Sequence, residues 1–286
     1  MRRIFFTCLL LGAIPILFIQ CGNNQTTTTV EKKDTTVSTE PVQGPVSVKE
    51  EAVTYQIGQQ TMKSYVAFDE SRQGPRPIVL ILPEWWGLTD YPRMRARMLA
   101  EMGYMAMAVD MYGEGKLANN PEEASQAATP FYSNPKMAKE RIDAALAKAK
   151  TYAQADSAKT VAIGYCFGGS MVLNYAKMGA PVLGVVSFHG TLDGVQPRKG
   201  TKAEFLLCHG GADNFVPQQQ IDAFKKSMDS ANLSYTFKVY EGATHAFTNP
   251  AATEKGREHN MPIRYDAAAD SASWNDMKLF FERILQ

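Results

Sequence analysis

The sequence has few of the residues that mark metal-binding and nucleic-acid-binding proteins. Its 286 residues include four cysteines and four histidines, and these lack the short spacing of a zinc site. The formal net charge is +1, and there is no basic stripe, no internal repeat and no glycine-rich phosphate loop with Lys-Ser or Lys-Thr. We therefore expect no nucleic-acid partner, no metal and no cofactor.

The N-terminal segment has the layout of an export signal. Two arginines are followed by an apolar run from Ile4 to Ile19 and then by Cys21. The run is short for a membrane span and Pro15 interrupts it, which favours cleavage over a permanent anchor. The segment resembles a bacterial lipoprotein signal, which implies a signal peptide over residues 1–20 and lipidation of Cys21; an uncleaved helix is the alternative. Both interpretations place the protein outside the cytoplasm, on the periplasmic side of a bacterial membrane or at the cell surface.

A change in composition divides the rest of the chain. Residues 21–51 are rich in Thr, Pro and charged residues and have almost no large apolar side chains. Such a segment buries too little surface to fold, so we predict a flexible tether. Residues 52–286 have the size of a single domain, which we expect to be monomeric. The partners implied are a small-molecule substrate and, through the lipid, a membrane.

Residues 52–286 alternate between strand-like and helix-like patterns. Eight short runs are apolar or β-branched, and several are apolar throughout, as in strands that are covered on both faces. The segments between them have apolar residues three and four positions apart, which is typical of helices. The alternation predicts an α/β fold with a mostly parallel central sheet and helices on both faces. In such a sheet the chemistry lies just past the carboxyl ends of the strands.

The stretch VAIGYCFGG places Cys166 between Gly164 and Gly168, where a strand-like pattern gives way to a helix-like one. This is the nucleophile elbow of the α/β-hydrolase fold, with Cys in place of Ser. The glycines permit the tight turn, and the N-terminus of the following helix favours the thiolate. Asp213 and His245 follow at later strand ends, in the chain order of α/β-hydrolases. Each residue alone could be structural, but together they predict a Cys-His-Asp triad.

The domain resembles the dienelactone hydrolase family from about residue 53 to the C-terminus. The resemblance rests on the motifs PEWWG, GYCFGG, SFHG, GADNFVP, THAF and YDAAADSASW. It implies that Cys166 is the nucleophile, His245 its base and Asp213 the residue that orients the histidine. It also implies that Glu84, in PEWWG, contacts the resting thiol and accepts its proton or swings away when substrate binds. A solvated loop carboxylate is the alternative for Glu84.

The resemblance also implies an oxyanion hole made by the backbone N–H groups of Trp85 and Phe167. We place Trp86, His189 and Asn249 in the substrate pocket, with a core position as the alternative for Trp86. His189 ends the sixth strand, so it could line the pocket or serve as the base instead. Asn249 stands where the enzyme that gave the family its name has a substrate-binding arginine. This difference favours a neutral ester, an acetylated sugar or a small lipid-like ester over dienelactone itself.

Two other patterns are interpreted as structural. Met94, Met98 and Met102 are spaced as on one helix face, which favours core filling over a metal or peptide groove. Cys208 could pair with Cys166 in an oxidising compartment. If one strand separates theirs, however, roughly 9–10 Å divide the two backbones, which is too far for a disulfide. We therefore predict that Cys208 is a buried free thiol.

These features predict a hydrolase that cleaves a carboxylic ester or lactone through a thioester acyl-enzyme. A peptidase or acyl transferase on the same fold is one alternative, and a non-catalytic surface binding module is another. The set of Cys166, His245, Asp213 and Glu84 argues against the binding module.

Overall fold

The computed structural model describes residues 45–286. The predicted signal peptide over residues 1–20, the lipidated Cys21 and most of the 21–51 tether lie outside the described residues, and they stay predictions. The folded region begins earlier than predicted, because strand β1 starts at Val48 and pairs with β2 along its whole length. No helix in residues 45–286 is long and apolar enough to cross a membrane.

Eight strands form one sheet. They are β1 (Val48–Ile57), β2 (Gln60–Asp69), β3 (Arg76–Leu82), β4 (Met105–Ala108), β5 (Ala155–Tyr165), β6 (Gly184–Phe188), β7 (Glu204–Gly210) and β8 (Tyr235–Tyr240). Their order across the sheet is β1-β2-β4-β3-β5-β6-β7-β8. Strand β2 is antiparallel to both of its neighbours, and β3 to β8 are parallel. All eight predicted strands are present, and the predicted α/β-hydrolase fold is confirmed.

Seven helices accompany these strands in the described part of the chain. They are α1 (Asp90–Glu101), α2 (Pro121–Ser133), α3 (Pro135–Ala149), α4 (Phe167–Lys177), α5 (Gln218–Ser230), α6 (Ala252–Glu258) and α7 (Ala267–Ile284). Residues of α3, α4 and α5 pack on one face of the sheet, and residues of α1 and α7 pack on the other. Met94 and Met102 pack against this second layer, so their interpretation as core filling is confirmed.

Strand β3 shows why several strands are apolar throughout. Ile78 and Leu80 belong to the core on one face of the sheet, and Val79 and Ile81 to the core on the other. All four side chains are fully buried. Since both faces are covered, neither set of alternating positions can be polar.

The parallel strands bring the reactive residues to one edge of the sheet. Glu84 follows β3, Cys166 follows β5, Asp213 follows β7 and His245 follows β8. Because these four strands run in the same direction, all four residues lie beyond carboxyl ends of the same sheet.

Candidate active site

Cys166 occupies the turn between β5 and α4. Its backbone has φ 51° and ψ −114°, a conformation that non-glycine residues rarely adopt. A Cβ atom on Gly164 would lie 2.1 Å from the carbonyl oxygen of Gly168, and one on Gly168 would lie 2.3 Å from that of Leu82. Neither glycine can be replaced without moving the backbone. The turn therefore has the geometry predicted for a nucleophile elbow.

His245 and Asp213 form a hydrogen-bonded pair beside Cys166. His245 Nδ1 lies 2.8 Å from Asp213 Oδ2, and both residues are buried. The other carboxylate oxygen of Asp213 accepts the backbone N–H of Phe215 at 2.9 Å, which fixes the carboxylate. Burial lowers the pKa of His245, but the charge on Cys166 and the hydrogen bond to Asp213 raise it to about 10. A thiolate at Cys166 and an imidazolium at His245 therefore stabilise each other.

Glu84 faces the same site from the loop after β3. It is only 4% exposed, which excludes a solvated loop carboxylate. Asn249 Nδ2 donates a hydrogen bond to Glu84 Oε2 at 2.6 Å. Burial raises the pKa of Glu84, although this hydrogen bond and the nearby charge of His245 oppose the rise. No hydrogen bond joins Glu84 to the Cys166 thiol in the described residues, and Asn249 holds the carboxyl group.

The backbone N–H of Trp85 lies on the loop after β3, and that of Phe167 lies at the start of α4, directly after Cys166. In residues 45–286 neither group donates to a protein acceptor. The Tyr112 hydroxyl donates to the carbonyl of Trp85 at 2.8 Å, and the Gly168 N–H donates to the carbonyl of Pro83 at 3.0 Å. These bonds fix the loop after β3 and the start of α4. The two N–H groups remain available to an oxygen that becomes negatively charged.

A cavity of about 300 Å³ opens over the thiol, and its walls are mostly apolar. Trp86 and Asn249 line it, as predicted. Helix α2 contributes Tyr132 and helix α6 contributes Lys255 to the walls. Sequence reasoning predicted neither of these helices and so missed both residues.

The prediction that His189 lines the substrate pocket is wrong. His189 is 1% exposed and lies behind the elbow, outside the cavity wall. Its Nδ1 accepts the backbone N–H of Cys166 at 3.1 Å, and its Nε2 contacts Thr248 Oγ1 at 2.7 Å. Because both ring nitrogens are occupied by groups other than the thiol, His189 is not placed to serve as the base. The backbone of His189 has φ 42°, so the chain does not continue as a strand here. The expectation that His189 lines the pocket assumed that it ends a regular strand, and it was wrong for this reason.

Cys208 is a free thiol, as predicted. It is 1% exposed in β7, and β6 lies between it and the end of β5. Burial raises the pKa of Cys208 to about 12, while the Tyr240 hydroxyl donates to its sulfur at 3.5 Å. Cys208 is thus a structural thiol beside the site.

Comparison with known proteins identifies the family. Residues 62–285 match the family model of the dienelactone hydrolases. This protein belongs to the dienelactone hydrolase family. A provisionally named carboxymethylenebutenolidase of Methylorubrum extorquens is 31% identical over 188 residues, which make up 61% of this chain and 64% of that protein, less than two thirds of its length. A provisionally named carboxymethylenebutenolidase of Escherichia coli K12 is 25% identical over 78% of this chain and 82% of its own.

Solved structures of the family share the fold of this chain. A dienelactone hydrolase-like promiscuous phosphotriesterase from metagenomic libraries is 30% identical, with a TM-score of 0.78 over 84% of this chain and 99% of its own. An acylaminoacyl peptidase of Pyrococcus horikoshii shares the fold alone. It is 14% identical, with a TM-score of 0.62 over 83% of this chain and 42% of its own. The chain is thus a dienelactone hydrolase-like protein of a hydrolase family.

The cavity of this dienelactone hydrolase family member has few charged lining residues. No arginine is among its lining residues in the described chain, and Lys255 is the lysine among them. The Lys255 ammonium group lies 4.3 Å from the centre of the Trp86 ring, on which it is held by a cation–π interaction. The position four residues after His245 holds Asn249, whose side chain donates a hydrogen bond to Glu84.

Proposed function

We propose that the protein hydrolyses carboxylic esters or lactones with Cys166 as the nucleophile. The observation that carries the proposal is that the elbow cysteine and His245 line one cavity, while His245 Nδ1 lies 2.8 Å from Asp213 Oδ2. A thiol, an oriented base and two available N–H groups are the parts that acyl transfer needs.

The first half of the reaction forms an acyl-enzyme. The sulfur of Cys166 attacks the substrate carbonyl carbon, and the π electrons move to the carbonyl oxygen. The N–H groups of Trp85 and Phe167 stabilise the resulting negative charge. When the tetrahedral intermediate collapses, the bond to the alcohol oxygen breaks and the His245 imidazolium gives that oxygen its proton. The products are an alcohol and a thioester on Cys166; with a lactone, the alcohol stays attached to the acyl group.

The second half uses water. His245, now neutral, takes a proton from a water molecule as the water oxygen attacks the thioester carbonyl. The second intermediate expels the Cys166 thiolate, which again pairs with the imidazolium, and the acid leaves. Asp213 keeps the imidazole in the orientation that both proton transfers require.

We propose that the Glu84 carboxyl group is protonated, and therefore neutral, beside the Cys166 thiol. Because burial raises its pKa, the Glu84 carboxyl group retains a proton more readily than a surface glutamate. A protonated carboxyl group adds no second negative charge beside the thiolate. Asn249 holds it in this position, away from the solvent.

The size of the cavity limits the substrate. A volume of about 300 Å³ with apolar walls suits a short acyl group rather than a long chain or a protein segment. We therefore propose a small, largely apolar ester or lactone as the substrate class.

Hydrolysis of p-nitrophenyl acetate and butyrate tests the proposal. We expect turnover by the wild-type protein and a loss of at least roughly 10³-fold in kcat/KM for Cys166→Ala. Cys208→Ala is the matched control and should retain activity. Equal turnover by wild type and Cys166→Ala, or none by either, would contradict the proposal.

Phosphotriesters are a second candidate substrate class. The solved structure with 30% identity is described as a promiscuous phosphotriesterase. The same thiolate could attack phosphorus, with the Trp85 and Phe167 N–H groups stabilising the phosphoryl oxygen. Paraoxon should then be turned over by the wild type and not by Cys166→Ala. Ester hydrolysis without paraoxon hydrolysis would restrict the activity to carbonyl substrates.

A further inference from the structure

His189 joins two loops that the reaction needs. The loop after β5 carries Cys166, and the loop after β8 carries both His245 and Thr248. The Nδ1 atom of His189 accepts the backbone N–H of Cys166 at 3.1 Å, and its Nε2 lies 2.7 Å from Thr248 Oγ1. The rings of His189 and His245 lie 5.2 Å apart in an edge-to-face arrangement. One buried imidazole therefore contacts the nucleophile's backbone, the base's ring and the base's loop.

The hydrogen bonds determine the tautomer of His189. Its Nδ1 accepts from an N–H group, so Nδ1 carries no proton, and the proton of the neutral ring is on Nε2. Nε2 therefore donates to Thr248 Oγ1. Burial lowers the pKa of His189 well below its usual value, and the charges of His245 and Arg95 lower it further. The ring is thus neutral whenever the neighbouring His245 is charged.

Thr248 is itself fixed from the opposite side. The Tyr91 hydroxyl donates to Thr248 Oγ1 at 2.7 Å, and the Arg95 guanidinium donates to the Thr248 carbonyl at 2.9 Å. Arg95 also pairs with Asp270 of α7 and is almost fully buried. These contacts tie the His245 loop to α1 and α7. The far end of the His189 link is therefore rigid.

The near end is strained. Cys166 has φ 51°, a strained backbone conformation that persists only when neighbouring contacts hold it. Its N–H makes a second hydrogen bond to the carbonyl of Phe188 at 3.0 Å. The His189 ring thus shares the N–H that must be held for the elbow to persist. It leaves the thiol itself free for His245.

We propose that His189 is a positioning residue, a role that rests on the proposed function. It clamps the Cys166 backbone to the Thr248 loop and so sets the distance between the thiol and His245. Thr248 is the second member of this clamp. The clamp takes no proton from substrate and touches none.

Substitutions at His189 can separate the two halves of the clamp. His189→Asn keeps an acceptor near the position of Nδ1, and His189→Gln keeps a polar group near that of Nε2. His189→Leu removes both hydrogen bonds and leaves an apolar side chain of similar bulk. If the clamp positions the thiol, kcat falls roughly 10–100-fold in His189→Leu while KM changes little, and His189→Asn recovers part of the loss.

The rate of Cys166 alkylation by iodoacetamide is the readout that general destabilisation would move in the opposite direction. In His189→Leu the thiol is held less well against the His245 imidazolium, so alkylation at neutral pH should be slower than in the wild type, whereas a loosened structure would make it faster. This readout needs no substrate. It therefore distinguishes failure of the clamp from failure of the proposed function, which Cys166→Ala and ester hydrolysis decide.

Thr248→Val provides a second, nearly isosteric test if His189→Leu does not fold. Its matched control is Thr160→Val, since Thr160 is also a buried threonine, and its hydroxyl has no hydrogen-bond partner in the described chain. We expect a lower kcat and slower alkylation for Thr248→Val and neither change for Thr160→Val. Alkylation that is unchanged or faster in both Thr248→Val and folded His189→Leu would overturn the proposal.

Discussion

The two cysteines of the domain have the same side chain and different surroundings. Cys166 is partly exposed, lines the cavity and interacts with the buried His245 imidazole. Cys208 is buried in a regular strand, where burial raises its pKa to about 12. Only one strand lies between β5 and β7. The two thiols therefore differ in their backbone conformation and in their neighbours, and not in the region of the sheet.

Alkylation should give the largest difference between the two thiols. With a pKa of about 12, roughly one Cys208 thiol in 10⁴ is ionised at pH 8, and burial keeps reagents away from it. Native protein should therefore incorporate iodoacetamide at Cys166 and not at Cys208, as measured by peptide mass spectrometry. The unfolded protein should be labelled at both positions. Comparable labelling of the two thiols in the native state would remove the distinction.

Gly168→Ala should lower the reactivity of the Cys166 thiol without changing the cysteine side chain. The added Cβ atom would lie 2.3 Å from the Leu82 carbonyl oxygen, so the elbow must shift. We expect a loss of roughly 100-fold or more in esterase kcat, because a displacement of about 1 Å suffices for such a loss.

Gly58→Ala is the control for this substitution. Gly58 has φ +59° and no atom within 4 Å of an added Cβ, so alanine strains the backbone there without a clash. It should cost about 1 kcal/mol of stability and leave kcat unchanged. Equal activity of the two variants would show that the space around the elbow is not what positions Cys166.

How much of this site could be predicted depends on how local each signal is. The eight strands and the elbow were predicted because apolar runs and the spacing of Gly164 and Gly168 around Cys166 are properties of short segments. The chain order of Cys166, Asp213 and His245 then indicated the topology of an α/β-hydrolase. The hydrogen bond from His189 to Thr248 joins residues 59 positions apart, and no local pattern indicates it.

Helix α2 was missed although its beginning has a local signal. Asn120 accepts the N–H of Glu123 at 2.9 Å as an N-cap, and Pro121 occupies the first turn. The helix buries only Ala124, Ala128 and Phe131, and Pro130 lies inside it, so its apolar stripe is weak. Helix α6 has only seven residues and contains Gly256. The residues of α2 and α6 that line the cavity were therefore less predictable than Cys166, Asp213 and His245.

Removal of the reactive thiol should change the titration of His245. In the wild type the charge on Cys166 helps to raise the pKa of His245 to about 10 against the effect of burial. In Cys166→Ala the negative charge is absent, so the imidazolium loses a stabilising partner and the pKa of His245 must fall. We expect a fall of more than about one unit, or roughly 10-fold in proton affinity. Imidazole chemical shifts in an NMR titration, assigned with His245→Gln, measure it; an unchanged titration would mean that the two groups do not form an ion pair.

The smallest effect is expected for Cys208→Ala. The Tyr240 hydroxyl lies 3.5 Å from the Cys208 sulfur and 2.8 Å from Asp276 Oδ2, so after the substitution the hydroxyl donates to Asp276 alone. The substitution therefore leaves a small cavity and no unsatisfied hydroxyl, at a cost of about 1 kcal/mol in the free energy of unfolding. Activity and the titration of His245 should stay as in the wild type, because no step of the proposed reaction uses this sulfur. Denaturant unfolding and ester hydrolysis measured on one preparation can separate the two effects. A large loss of activity at unchanged stability would mean that Cys208 takes part in catalysis, and the contrast between the two thiols would no longer hold.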